Sequence, residues 1–150
     1  MLLALVVVLV GAVTWWKLTL PPNPAAEHLD QLRVQGYSRS DESVDDRVGP
    51  AASAVFFGPP VDDVLQVVSA PGLRLQRYEP DESVKQKIQQ NGPGPLEDVA
   101  KGDFGDDCHL WIDRLHYERD SWMSRTPEQV DAMYKGSLFV FEFIVTCGPG

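Results

Sequence analysis

The stretch Ser137-Leu-Phe-Val-Phe-Glu-Phe-Ile-Val-Thr-Cys147, SLFVFEFIVTC, decides how this chain is read. Phe139, Phe141, Phe143, Val145 and Cys147 recur every second residue, so an extended backbone places them on one face, which must be a core face. A second stretch, Cys108 to Glu118 (CHLWIDRLHYE), alternates in the same way, with Cys108, Leu110 and Ile112 in phase. Between the two, Thr126 and Gln129 form a capping box for a helix over Pro127 to Lys135. Val130, Met133 and Tyr134 are its expected core stripe, and Gly136 closes it.

The two cysteines turn this pattern into a topology. Cys108 opens one strand and Cys147 closes the other, so antiparallel pairing brings both sulfurs together on the apolar face. A disulfide there closes a loop of 40 residues. It is expected to contribute roughly 3 to 4 kcal/mol in an oxidising compartment. The alternative is a pair of buried reduced thiols. The order strand, helix, strand occurs twice, over 52–78 and 108–146, and also suits a ferredoxin-like split βαβ arrangement. In that fold the last two strands run parallel, which leaves the cysteines roughly 30 Å apart. The bridge and that fold exclude each other. The expected fold class is therefore α+β, a small mainly antiparallel sheet packed with short helices, with the ferredoxin-like arrangement as the alternative.

The bridge also fixes a register. With Cys108 opposite Cys147, Asp113 falls opposite Glu142. Two carboxylates opposed on one sheet face repel unless they share a proton or hold a cation, which makes them the candidate catalytic pair. The plainer reading has them in water with Arg114 or Lys135 nearby. Asp103, Asp106 and Asp107 in KGDFGDD crowd oxygen ligands into a loop and are candidate metal ligands, although the EF-hand spacing is missing. His109 and His116 have opposite parity along their strand and cannot ligate one metal from it. Trp111, Tyr117 and Trp122 are candidates for an aromatic binding surface. GxSxG, HExxH, P-loop, dinucleotide and CxxC signatures are missing from the sequence, and no cofactor is implied.

Upstream, Asn23 caps a helix with Pro24 at its first position, expected to run to Gly36. Ser38 to Pro50 is polar without period and reads as a loop, with a short strand at its opening as the alternative. Ala52 to Phe57 reads as a buried strand. Val61, Val64, Leu65 and Val68 fall at helical spacing before Gly72, Leu73 to Tyr78 alternates as a strand, and Asp81 caps a helix over Glu82 to Gln90. Pro93 to Asp107 reads as a loop with one helical turn at Leu96 to Lys101. One echo crosses these elements: LRVQGYSRSDESV from Leu32 is matched by LRLQRYEPDESV from Leu73. A true duplication requires residues 32–37 to be a strand.

The N-terminus is of another kind. Leu2 to Trp16 carries no charge, and with Trp15, Trp16 and Lys17 at the interface the segment 2–20 reaches roughly 28 Å, enough for a transmembrane anchor stopped by Pro21-Pro22. A cleaved signal peptide, with Val10-Gly11-Ala12 at the cleavage site, is the alternative. Residues 21–150 are then one acidic domain. With 22 acidic against 13 basic residues the net charge is −9, which excludes the electrostatic footprint of a nucleic-acid binder and leaves apolar insertion as the route to a membrane. Lys17 lies on the C-terminal side of the uncharged run and by the positive-inside rule keeps the domain in the cytoplasm, whereas the cysteines place it outside. The expectation is a single-pass membrane protein with an extracytoplasmic, non-catalytic domain that binds a protein or cell-envelope partner. The alternatives are a carboxylate- or metal-dependent hydrolase using Asp113 and Glu142, and a structural cap in a membrane complex.

Overall fold

A computed structural model describes residues 22–47, 49–91, 96–116 and 126–148. The anchor segment with Trp15, Trp16 and Lys17, together with Tyr117 and Trp122, lies outside the described residues. Among the described residues no helix is long and apolar enough to cross a membrane.

The chain forms a small α+β fold around an antiparallel sheet. In order, its elements are helix α1 (Pro24–Gln31), strands β1 (Arg33–Val34), β2 (Ser38–Asp45) and β3 (Ala51–Gly58), a 3-10 turn (Val64–Gln66), strands β4 (Val68–Ser69) and β5 (Arg74–Arg77), helix α2 (Glu82–Asn91), strands β6 (Leu96–Asp103) and β7 (Cys108–Leu115), helix α3 (Pro127–Tyr134) and strand β8 (Phe139–Cys147). Six strands make the main sheet in the order β2-β3-β8-β7-β6-β5, and β1 pairs with β4 in a two-stranded ribbon. Every ladder is antiparallel. This sets aside the ferredoxin-like alternative.

β8 lies in the middle of the sheet, between β3 and β7, and its apolar run follows from that position. Phe141, Phe143 and Val145 face the main core with Ala52, Ala54 and Phe56 of β3 and Leu110 and Ile112 of β7. α1 lies across β3 and β8 on this face, with Ala25 and Leu29 fully buried. Asn23 starts α1 by accepting from the N–H groups of Ala25 and Ala26. On the other face Val55, Val140 and Leu115 pack with Met133 of α3 and Leu138. α3 has the expected capping box, and Gly136, at φ +67, ends it. Tyr134 is 68% exposed and does not join the stripe: the helix faces the sheet through Met133, and the next residue is rotated away from it.

Four sequence expectations change. α1 ends at Gln31, because Leu32 is already extended and Arg33 and Val34 pair with Ser69 and Val68. The segment Val61 to Val68 forms only the 3-10 turn: Asp63 caps it, Val64 opens it and is buried, and Val68 enters β4. Four of its five apolar residues are valines, which gain more from extended pairing than from a helix. Ser38 to Asp45 is an edge strand, exposed over nearly its whole length, so the polar sequence shows no alternation. A bulge at Asp41, with φ 45, breaks its register, and such charged, bulged edges resist further strand addition. Leu96 to Asp103 is also a strand, and a register slip between Asp98 and Ala100 hides its period.

The echo is not a structural repeat over its length: Arg33–Val34 and Arg74–Arg77 are both strands, but the two copies then diverge. The first Asp-Glu-Ser-Val, Asp41 to Val44, lies in edge strand β2, whereas the second, Asp81 to Val84, opens α2 with Asp81 accepting from the N–H groups of Ser83 and Val84.

Candidate functional site

The β7–β8 ladder pairs Cys108 with Cys147 and Asp113 with Glu142. The two sulfurs are 2.08 Å apart, at disulfide distance. Asp98 of β6 faces Asp113 from the other side, so Asp98, Asp113 and Glu142 form a row across three strands. Asp113 and Glu142 are each only 8% exposed, and among the described residues Oδ1 of Asp113 has no hydrogen-bond partner. Burial, a hydrogen bond with Asp98 and the negative charges of Asp98 and Glu142 push the Asp113 carboxyl up to about 7. Burial also raises the Glu142 carboxyl, against a hydrogen bond from Ser53 that lowers it.

This pair is not the solvated one of the plainer reading. Arg114 follows Asp113 along the strand and points to the opposite face, and Lys135 is engaged with Asp131 of its own helix at 2.6 Å. Among the described residues these three carboxylates do not bring their oxygens within 4.8 Å of one another, so the row does not form a site for one ion.

The acidic loop does not converge on a cation either. Asp103 accepts from the N–H of Gly105 at 2.6 Å, Asp107 takes the left-handed φ of 58, and Asp106 contacts Nε2 of His28 at 2.9 Å. His28 stacks on Phe104 with ring centroids 4.0 Å apart. Among the described residues, His28, Asp106 and Cys108 are the only three such side chains whose ligand atoms lie within 4.8 Å of one another. With Cys108 bonded to Cys147, its thiolate is not offered. His109 is exposed, and His116 meets Glu97 at 2.8 Å. Trp111 is 39% exposed and touches Tyr78 edge-on at 6.4 Å.

The feature that sequence reasoning missed is a cavity at the end of the sheet remote from the cysteines. It has a volume of about 570 Å³ and opens between α2, the 3-10 turn and the ends of β6, β7 and β8. Phe139, Phe141 and Val64 contribute apolar surface from the sheet side, with Val84 and Ile88 from α2 and Leu96 from β6. α2 buries none of its residues, and Ile88 and Leu96 are large apolar side chains left 38% and 45% exposed.

Arg114 lines this space with its guanidinium carbon 3.8 Å from the centre of the Phe139 ring. In the ladder it sits between Glu97 and Phe141. Beside it Tyr37 packs on Phe141 at 5.8 Å and donates its hydroxyl to the carbonyl of Pro59 at 2.6 Å. Burial raises the Tyr37 phenol, and the charge of Arg114 opposes that shift. Tyr37 fits because Gly58 has no Cβ: one built there would collide with the ring. The signal for Arg114 was in the sequence, since 108, 110, 112 and 114 share a face. Only the cavity shows why an arginine continues it.

Of the carboxylate row, Asp98 alone lines the cavity. A raised carboxyl such as Asp113 suits a general acid, but the row belongs to the opposite sheet face from the cavity floor. No family model, curated protein or solved structure matches the chain, so the functional reading rests on this geometry.

Proposed function

We propose that this is a non-catalytic binding domain whose ligand enters the cavity under α2. The observation that carries the reading is a space of about 570 Å³, within the range of small-molecule sites, lined by apolar side chains and by the half-buried Arg114, which has no ion-pair partner among the described residues. Binding is preferred to hydrolysis because Asp113 and Glu142 are covered and turned away from this space. Residues 2–20 are proposed as the membrane anchor, and the paired cysteines support display on the extracytoplasmic side, where disulfides persist. A ligand carried at a membrane surface, or a short segment of an envelope partner, fits such a placement.

The test uses the full chain in lipid nanodiscs, titrated calorimetrically with the neutral aromatic amide 2-naphthylacetamide against empty nanodiscs. Saturable binding that is lost in the double variant Val84→Trp and Ile88→Trp supports the cavity. Because α2 buries no residue, the substitutions leave the fold intact. Saturable binding of equal strength in both proteins, or none in either, removes the reading.

A further inference from the structure

We propose that the cavity selects a monocarboxylate with an apolar body, the carboxylate meeting Arg114; this rests on the cavity being the binding site. Arg114 occupies a core-face position, is half-buried, and has no carboxylate within 4.0 Å among the described residues. That is notable in a chain with 22 acidic residues, several of them lining the same cavity. Three of the four, Asp63, Glu97 and Asp98, are turned elsewhere. Asp63 receives Arg77 at 2.7 Å and caps the 3-10 turn through the N–H of Leu65 at 3.1 Å. Glu97, the cross-strand neighbour of Arg114, turns to His116, and Asp98 to Asp113.

Stacking on Phe139 occupies one face of the guanidinium and leaves its N–H edge for a bidentate acceptor. A carboxylate matches that fork, and the low local dielectric strengthens the pair. Beyond the cation, Phe139, Phe141, Val84, Ile88 and Leu96 favour an apolar chain or ring. The remaining charges set the count. Lys87 at the rim attracts an anion, while Asp62 and Glu97 oppose a second negative charge, so a single carboxylate fits better than a dianion.

Three probes that share one ring system test this on the full chain in nanodiscs: 2-naphthylacetate, the neutral 2-naphthylacetamide and the cationic 2-naphthylethylamine. The acid is expected to bind at least about tenfold more tightly than the amide, with the amine weakest. Arg114→Gln is expected to bring the acid to the level of the amide while the amide itself changes by less than about twofold, and Arg114→Lys to keep the preference for the acid. If acid and amide bind the wild type equally, anion selection is overturned and the cavity reading stands. If no probe binds, both fall. The wild-type comparison needs no variant, so a misfolded Arg114→Gln leaves the test intact.

Discussion

Asp113 and Glu142 face each other across β7 and β8, on the sheet face opposite the core-facing Cys108–Cys147 pair of the same ladder. Both carboxyls are buried, neither has a basic partner among the described residues, and Asp98 extends the row. The arrangement costs stability whenever the carboxyls are ionised, and this gives the domain a definite pH response.

The Asp113 carboxyl sits at about 7 in the fold against 3.8 for its ordinary value, so between those pH values the folded state holds a proton that the unfolded chain has released. Its contribution to stability is present below pH 3.8, declines as pH rises, and is lost above about 7. Glu142 is shifted in the same direction. Asp113→Asn is expected to raise stability at pH 8 by on the order of 2 to 3 kcal/mol and to leave it nearly unchanged at pH 4. Thermal unfolding of the two proteins across pH 4 to 8 checks this through their difference. A difference that does not grow with pH would contradict the assigned burial.

The Cys108–Cys147 pair closes the end of the central ladder, with 39 residues of sequence separation. Replacing both residues by serine is expected to lower stability by roughly 3 to 4 kcal/mol. Thiol titration of the denatured protein, purified without reductant, is expected to find no free thiol. Two free thiols would remove both the bond and the argument for an oxidising compartment.

Leu29 is fully buried where α1 crosses β3 and β8, whereas Ile88 is exposed at the cavity rim. Leu29→Ala is expected to cost about 2 to 5 kcal/mol in chemical denaturation. Ile88→Ala is expected to stay within about 0.5 kcal/mol of wild type and to weaken binding of 2-naphthylacetamide. Equal losses of stability would mean that α2 is part of the core.

Gly58→Ala places a methyl group against the Tyr37 ring, which must then leave Phe141 and the Pro59 carbonyl. The expected loss is roughly 1 to 3 kcal/mol, with weaker probe binding because Tyr37 supports the floor beside Arg114. Gly136→Ala is the contrast. Its Cβ meets nothing within 4 Å, so only the left-handed φ resists it, at about 1 kcal/mol, and binding is unchanged.

What the sequence determined by itself was the centre of the sheet. Parity along SLFVFEFIVTC and CHLWIDRL, together with one pair of cysteines, is local arithmetic, and it yields both the β7–β8 register and the opposition of Asp113 and Glu142. The helix N-caps were legible for the same reason, since Thr126 with Gln129 and Asn23 act within one helical turn. Tertiary structure decided the periphery. β2 and β6 are extended because a neighbouring strand satisfies their backbone groups, and neither the solvated edge of β2 nor the slipped register of β6 leaves a period in the side chains. The same four letters, Asp-Glu-Ser-Val, become strand at Asp41 and helix at Asp81 because one copy has β3 beside it and the other has only its own cap. The role of Arg114 belongs to this second category. A core-facing arginine in a strand acquires chemical meaning only when β6, β8, the 3-10 turn and α2 close a space around it.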